Sequence, residues 1–308
     1  MNSQLDKVGS FFDVLKLAFV NLRNNDPIRM AGATAFFTLF ALPPITIILS
    51  QVLSRLFNDH QRLVSGRLFG QLAELFGTQS ARQLQDISQH LQPKLVYSLS
   101  TGLSVVLLLL ASTTLFAVIK NSLNQLWNVK AGPDRTVVHL LRDRGIALLI
   151  ILASGLLFTV SLAVDGLMDP VPDTISLTVS GPGDVLTSAG HSMASVALLT
   201  VWFALLLRFL PDVRVRWRAV WMGALVTSLL FSLGAGLLNQ LLTHRQLSSL
   251  YGGSGPLILI LLFVFYCSLI FYYGASFTRQ YSEYLHLDAK PNAQSVAYTI
   301  TEVDSVQP

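Results

Sequence analysis

Six stretches of this chain are apolar for long enough to cross a lipid bilayer, and no other feature restricts its fold as much. A helix rises about 1.5 Å per residue, so about 20 apolar residues span about 30 Å of hydrocarbon. The stretches run from Met30 to about Leu53, about Leu95 to Ile119, about Gly145 to Val164, about Val185 to Leu210, about Ala219 to Leu242 and about Gly255 to Phe277. Inside a bilayer every backbone polar group needs a partner, which leaves helices or closed barrels. Uninterrupted runs such as Ile146 to Ala153 lack the alternation of barrel strands. The composition agrees. Hydrophobic residues make up 52% and charged residues 12% of 308 positions, against about 25% charged in soluble domains. Mean hydropathy is +0.56. The expected fold is all-α, a polytopic membrane protein with about six transmembrane helices.

Charge in the connections sets the expected orientation. Lys7, Lys16, Arg23 and Arg29 precede the first span. Lys120, Lys130, Arg135, Arg142 and Arg144 follow the second, and Arg208, Arg214, Arg216 and Arg218 surround the turn between the fourth and fifth. The third-to-fourth connection holds Asp165, Asp169, Asp173 and Asp184 and no Lys or Arg. Cations stay inside, so both termini are expected in the cytoplasm of a multi-pass protein. The same rule accounts for the net charge of +4 without nucleic acid, since no basic block is interleaved with stacking aromatics.

Three organisational units follow. Residues 1–29 read as a cytoplasmic or interfacial segment, in which Phe11, Phe12, Leu15, Phe19 and Leu22 form the stripe of an amphipathic helix. Asp26-Pro27 ends it. Asp6 and Asp13 and the lack of a continuous apolar core argue against a cleavable signal peptide. Residues 30–287 form the transmembrane domain, with amphipathic helices in an outer loop at about 57–94. Residues 288–308 lose periodicity and turn polar, which predicts a disordered cytoplasmic tail.

Three blocks resemble the YihY/BrkB family of bacterial inner-membrane proteins, once labelled ribonuclease BN. Met30 to Pro44 is similar to that family's first span, with small residues, aromatics and a Leu-Pro pair. Ser122-Leu123-Asn124-Gln125-Leu126-Trp127 is similar to the segment after its second span. Tyr251-Gly252 and Tyr272-Tyr273-Gly274-Ala275 flank the sixth, and Leu210 to Val215 fits the family's arginine-rich turn. The resemblance covers about residues 10–285. It departs at Ser276, where the family pattern continues with Glu. The resemblance implies a six-span protein of envelope integrity, virulence-factor-like, with movement of lipids or other amphipathic solutes as its candidate activity.

The old nuclease label finds no support in the residues. His60, His90, His139, His191, His244 and His286 are widely spaced, and metal-assisted cleavage needs clustered ligands. Asp165, Asp169 and Asp173 have helical spacing, but Gly166, Pro170 and Pro172 oppose a helix there. No enzyme, catalytic residue, metal or cofactor is expected. Cys267 stands alone in an apolar run and has no partner for an internal disulfide.

Other residues carry a structural and a functional reading. Pro43 and Pro44 lie deep in the first span; proline frees carbonyls that can hold a solute, or makes a fixed kink. Thr34 and Phe37 share that span with them, Arg29 stands at its inner mouth, and Asn124, Trp127, Arg214 and Tyr251 complete the candidate lipid-binding set. Trp127 reads equally as an interface anchor, and the arginines as topology signals. Ala224, Ser228, Ser232 and Gly236 recur every four residues, and with Gly274 suit close helix packing. Ionisable residues are nearly absent within the spans, which opposes ion-coupled transport. Two functions follow: a transporter or flippase-like protein for an envelope lipid or amphipathic solute, or a non-transporting scaffold. The expected partners are membrane lipids and envelope proteins.

Overall fold

The computed structural model describes residues 11–56, 114–132, 145, 149, 182–243, 255–287, 289–292 and 295–299; at 42–56, 182–192, 236–243 and 255–256 only the backbone is described. Helix α1 spans Phe11–Arg23 and α2 Pro27–Leu56. Residues 114–126 form α3, followed by strand β1 at Val129–Ala131. Helix α4 is Pro182–Phe209, β2 is Val213–Arg214, α5 is Trp217–Thr243 and α6 is Gly255–Tyr284. Two more strands follow, β3 at Lys290–Pro291 and β4 at Ser295–Ala297.

The helix boundaries obey local chemistry. Asp26 takes a left-handed conformation (φ 53°) between α1 and α2, and Pro27 then opens α2, where its missing N–H costs nothing. Asn128 and His286 adopt the same conformation where α3 and α6 end. At His286 the Leu287 N–H reaches Ser282 O (2.9 Å) and the His286 N–H reaches Glu283 O (3.0 Å), a Schellman closure made without glycine. Helix α6 outlasts the apolar run that ends at Phe277 because its polar last turns are satisfied. Arg279 pairs with Glu283 at 2.9 Å one turn on.

Helix α6 is the central element, packed against α1, α2 and α5, while α4 packs on α5. The main core gathers Leu123, Leu126, Phe203, Leu207, Val220 and Tyr272. On α5 the polarity is inverted relative to a soluble helix. Trp221, Leu225, Leu229 and Leu233 recur every four residues and are exposed, whereas Thr227 and Ser228 are fully buried. An apolar ridge outside and small polar residues inside are what lipid as a solvent selects. Among the described residues Trp217–Ala235 and Leu257–Tyr284 are each long and apolar enough to cross a membrane. The expected third span apart from residues 145 and 149, the outer loop at 57–94 and most of the second span lie outside the described residues.

Four features depart from expectation. The segment read as a disordered tail is ordered where it is described: β4 pairs antiparallel with β1, and β3 with β2. Strands of two or three residues leave no periodicity to read. The helix expected to end near Ile119 continues to 126, so Asn124 is helical. Trp127 is buried in the core instead of anchoring at an interface. In α1 the face against the bundle is Val14, Ala18 and Leu22, while Phe12 and Phe19 of the expected stripe point outward.

Candidate functional site

At one end of the bundle three chain segments converge on a set of buried polar contacts. The Lys120 ammonium lies 2.9 Å from Asp212 Oδ1, with side chains only 8% and 6% exposed. Asn124 Nδ2 donates to Asp212 Oδ2 (2.9 Å), and the Asp212 N–H donates to Asn124 Oδ1 (2.8 Å). The Asn292 N–H, just beyond β3, donates to Asp212 O (2.9 Å). Thus α3, the turn after α4 and the C-terminal strands share one carboxylate residue. Satisfying a buried charge on several sides is what makes its burial tolerable.

Two further clusters continue this arrangement. Thr34 Oγ1 donates to Met30 O (2.9 Å) and so accepts from the Tyr272 hydroxyl at 2.6 Å. This joins α2 and α6 through hydroxyls. Closer to α1, Arg279 Nη1 donates to Leu126 O (2.6 Å) at the end of α3. Gln125 Oε1 accepts from Arg29 (3.2 Å), and Gln125 Nε2 donates to Asn25 O (3.4 Å). Arg29 itself is exposed, 3.8 Å from Asp26.

Ser276, where the sequence departs from the pattern of the resemblance, docks α1. Its hydroxyl donates to Ala18 O (2.7 Å) and accepts from Asn21 Nδ2 (2.9 Å), and it is fully buried. Tyr273 adds a hydrogen bond to Leu15 O (3.2 Å). Replacing Ser276 with alanine removes both of its bonds, each worth about 1 kcal/mol net. The expected result is a destabilisation of about 1–2 kcal/mol felt mainly in α1. Hydrogen exchange will read it as faster exchange at residues 14–22 with α5 unchanged; equal exchange in α1 would refute the docking role.

The small residues of α5 serve two neighbours. Ala224 and Ser228 are buried, and Ser228 Oγ meets Thr200 Oγ1 of α4 at 2.7 Å. Toward α6 the contact is made one residue earlier on the wheel. Gly223 of α5 faces Thr278 of α6, and Gly274 of α6 faces Thr227 of α5. The Thr227 hydroxyl bonds Gly223 O (2.6 Å) and the Thr278 hydroxyl bonds Gly274 O (2.7 Å). Two Gly-x-x-x-Thr segments therefore pack reciprocally between antiparallel helices, a register that hydropathy does not reveal.

Of the sequence-chosen residues, the structure brings Thr34, Asn124 and Trp127 to this end, with Arg29 at its rim. Arg214 is exposed on β2. Phe37 is half-buried beside Phe36, ring centroids 5.4 Å apart. Ser232 is half-buried. Helix α2 runs through Pro43 and Pro44. Their side chains, the surroundings of Gly236, and Tyr251 lie outside the described residues. Lys120, Asp212, Tyr272 and Arg279 were missed because each looks ordinary in its own segment, and only the fold brings them together. Chemically the cluster ties these segments together through buried charge and hydrogen bonds. Among the described residues no three His, Cys, Asp or Glu side chains group as a metal site would need. The Trp127 indole N–H is buried without a hydrogen-bond partner.

Comparison with known proteins adds the following. Residues 18–298 match the family model described as Virulence factor BrkB. A UPF0761 membrane protein of Teredinibacter turnerae is 23% identical over 260 residues, covering 83% of this chain and 57% of the relative. One from Chromohalobacter salexigens is 26% identical over 256 residues, 82% of this chain and 58% of the relative. A third, from Pseudoalteromonas atlantica, is 21% identical over 294 residues, 94% of this chain and 91% of its own length. The chain thus spans under two thirds of the first two relatives. No solved structure matches.

Proposed function

Because this chain belongs to the Virulence factor BrkB family of membrane proteins, we propose that it sits in the bacterial inner membrane and moves an envelope lipid or amphipathic solute, thereby supporting envelope integrity. In this reading it is not an enzyme, needs no cofactor, and keeps the end that carries the Lys120–Asp212 pair in the cytoplasm. The observation that carries it is that buried pair. A buried ion pair is often no more stabilising than apolar residues of the same volume. Its position where α3, the α4–α5 turn and the C-terminal strands meet suits a contact that must open and re-form, as the inner gate of a transporter does. The basic residues on the same end, Arg29 and Arg214 among them, would face anionic headgroups.

A scaffold that recruits envelope proteins is the second reading. The dense apolar packing beside the polar cluster favours it, where Phe203 meets Phe271 and Phe231 with ring centroids 6.2 and 5.7 Å apart. Reconstitution in liposomes with fluorescent phospholipids separates the two. Transport predicts translocation above protein-free vesicles, abolished by cross-linking cysteines introduced at Lys120 and Asp212. Absence of translocation across several lipid classes would leave the scaffold.

A further inference from the structure

The geometry points to an anionic-phospholipid site where α4 turns into α5, with the headgroup phosphate held between Arg214, Arg216 and Lys290. This rests on membrane residence alone and not on transport. From 213 to 216 burial alternates: Val213 and Val215 are buried, Arg214 and Arg216 exposed. Extended chain alternates its side chains, so the two arginines share one outward face. The β2–β3 register sets Arg214 directly opposite Lys290, which is also exposed. Like charges opposed across two strands repel. No carboxylate pairs with any of the three among the described residues. An anion between them turns this repulsion into attraction, and arginine binds phosphate through two parallel N–H bonds.

The surroundings specify a lipid rather than a free anion. Trp217 directly follows Arg216 and is joined by Trp221 one turn on, 43% and 45% exposed, with ring centroids 6.2 Å apart. Arg208 stacks 5.6 Å over the Trp217 ring and fixes it. Exposed indoles collect at headgroup depth. From Trp221 the exposed ridge continues through Leu225, Leu229 and Leu233, an apolar track on which an acyl chain can lie below its own phosphate. A free phosphate has no use for that track.

The test uses the full chain in a neutral detergent, titrated with phosphatidylglycerol, phosphatidylcholine or inorganic phosphate. Bound lipid is counted by native mass spectrometry and stability is followed by thermal midpoint. The wild type is expected to bind phosphatidylglycerol at least about tenfold more tightly than phosphatidylcholine. Each basic residue near an anionic headgroup is worth about fivefold, so Arg214→Glu should remove about tenfold or more of that preference. The same variant opposes Glu to Lys290 and should keep or raise the lipid-free midpoint, which separates lost binding from lost folding. Lys290→Ala should lose about fivefold. An unchanged preference in Arg214→Glu, no preference in the wild type, or an equal midpoint shift from inorganic phosphate would each overturn the assignment.

Discussion

Replacing Asp212 with alanine is expected to cost about 3–5 kcal/mol, because it removes the carboxylate that faces the buried Lys120 ammonium at 2.9 Å. The carboxylate is the common partner of Lys120 and Asn124, so its loss also leaves the Asn124 amide half-satisfied. Removing both charges together should cost much less. The double change Lys120→Met with Asp212→Asn takes away the desolvation penalty along with the attraction, and should recover more than half of the loss. Both variants can be read in mixed micelles by titrating a denaturing detergent and following helicity. A deficit below about 1 kcal/mol for Asp212→Ala would mean that water reaches Lys120, in the range of exposed pairs. A double variant as unstable as the single one would show that the pair is needed for more than neutralising charge.

Substituting Gly274 with valine should cost about 2–3 kcal/mol or more through overpacking. A Cβ at Gly274 would fall on the Thr227 hydroxyl and within 3.0 Å of Thr227 Cβ. Rotation about χ1 can move the hydroxyl but not Cβ, and the hydroxyl is already committed to Gly223 O. Relief must come from separating α5 and α6, which would also disturb the mirror contact, where a Cβ on Gly223 would stand 2.9 Å from Thr278 Cβ. The milder Gly274→Ala with Thr227→Ala should be more stable than Gly274→Ala alone, since the colliding hydroxyl and methyl are gone. The same detergent titration measures this. Simple additivity of the two alanine changes would mean that the residues do not compete for one space.

The sequence is a good guide here wherever solvent does the sorting. Helices α4, α5 and α6 begin within a few residues of where hydropathy places them, because the transfer of apolar side chains into lipid is a property of each segment alone. The break at Asp26-Pro27 is equally local. What could not be read is relational. Lys120 and Asp212 belong to different segments, and a lysine just after an apolar run looks like any topology signal. Trp127 has the composition of an interface anchor, yet α3 extends far enough to carry it into the core. In α5 the four-residue rhythm through Ala224 and Ser228 is real and faces α4, whereas the close approach to α6 uses Gly223 and Thr227, one position away. Small residues announce that a neighbour comes near; they do not say which neighbour. The strands at 290–291 and 295–297 are too short for any pattern to mark them.

The pairing of those strands also has a consequence for how the protein is made. The ribosome builds α3, β1 and β2 well before β3 and β4 exist. During insertion the Asp212 carbonyl that will accept the Asn292 N–H, and the Asn128 carbonyl that will accept the Tyr298 N–H, have no mate to wait beside. This end of the bundle therefore closes only after α6 has been threaded. Until then β1 and β2 are open edges, and a nascent chain stalled beyond α6 but short of Asn292 should be a substrate for membrane quality-control proteases that the finished chain resists.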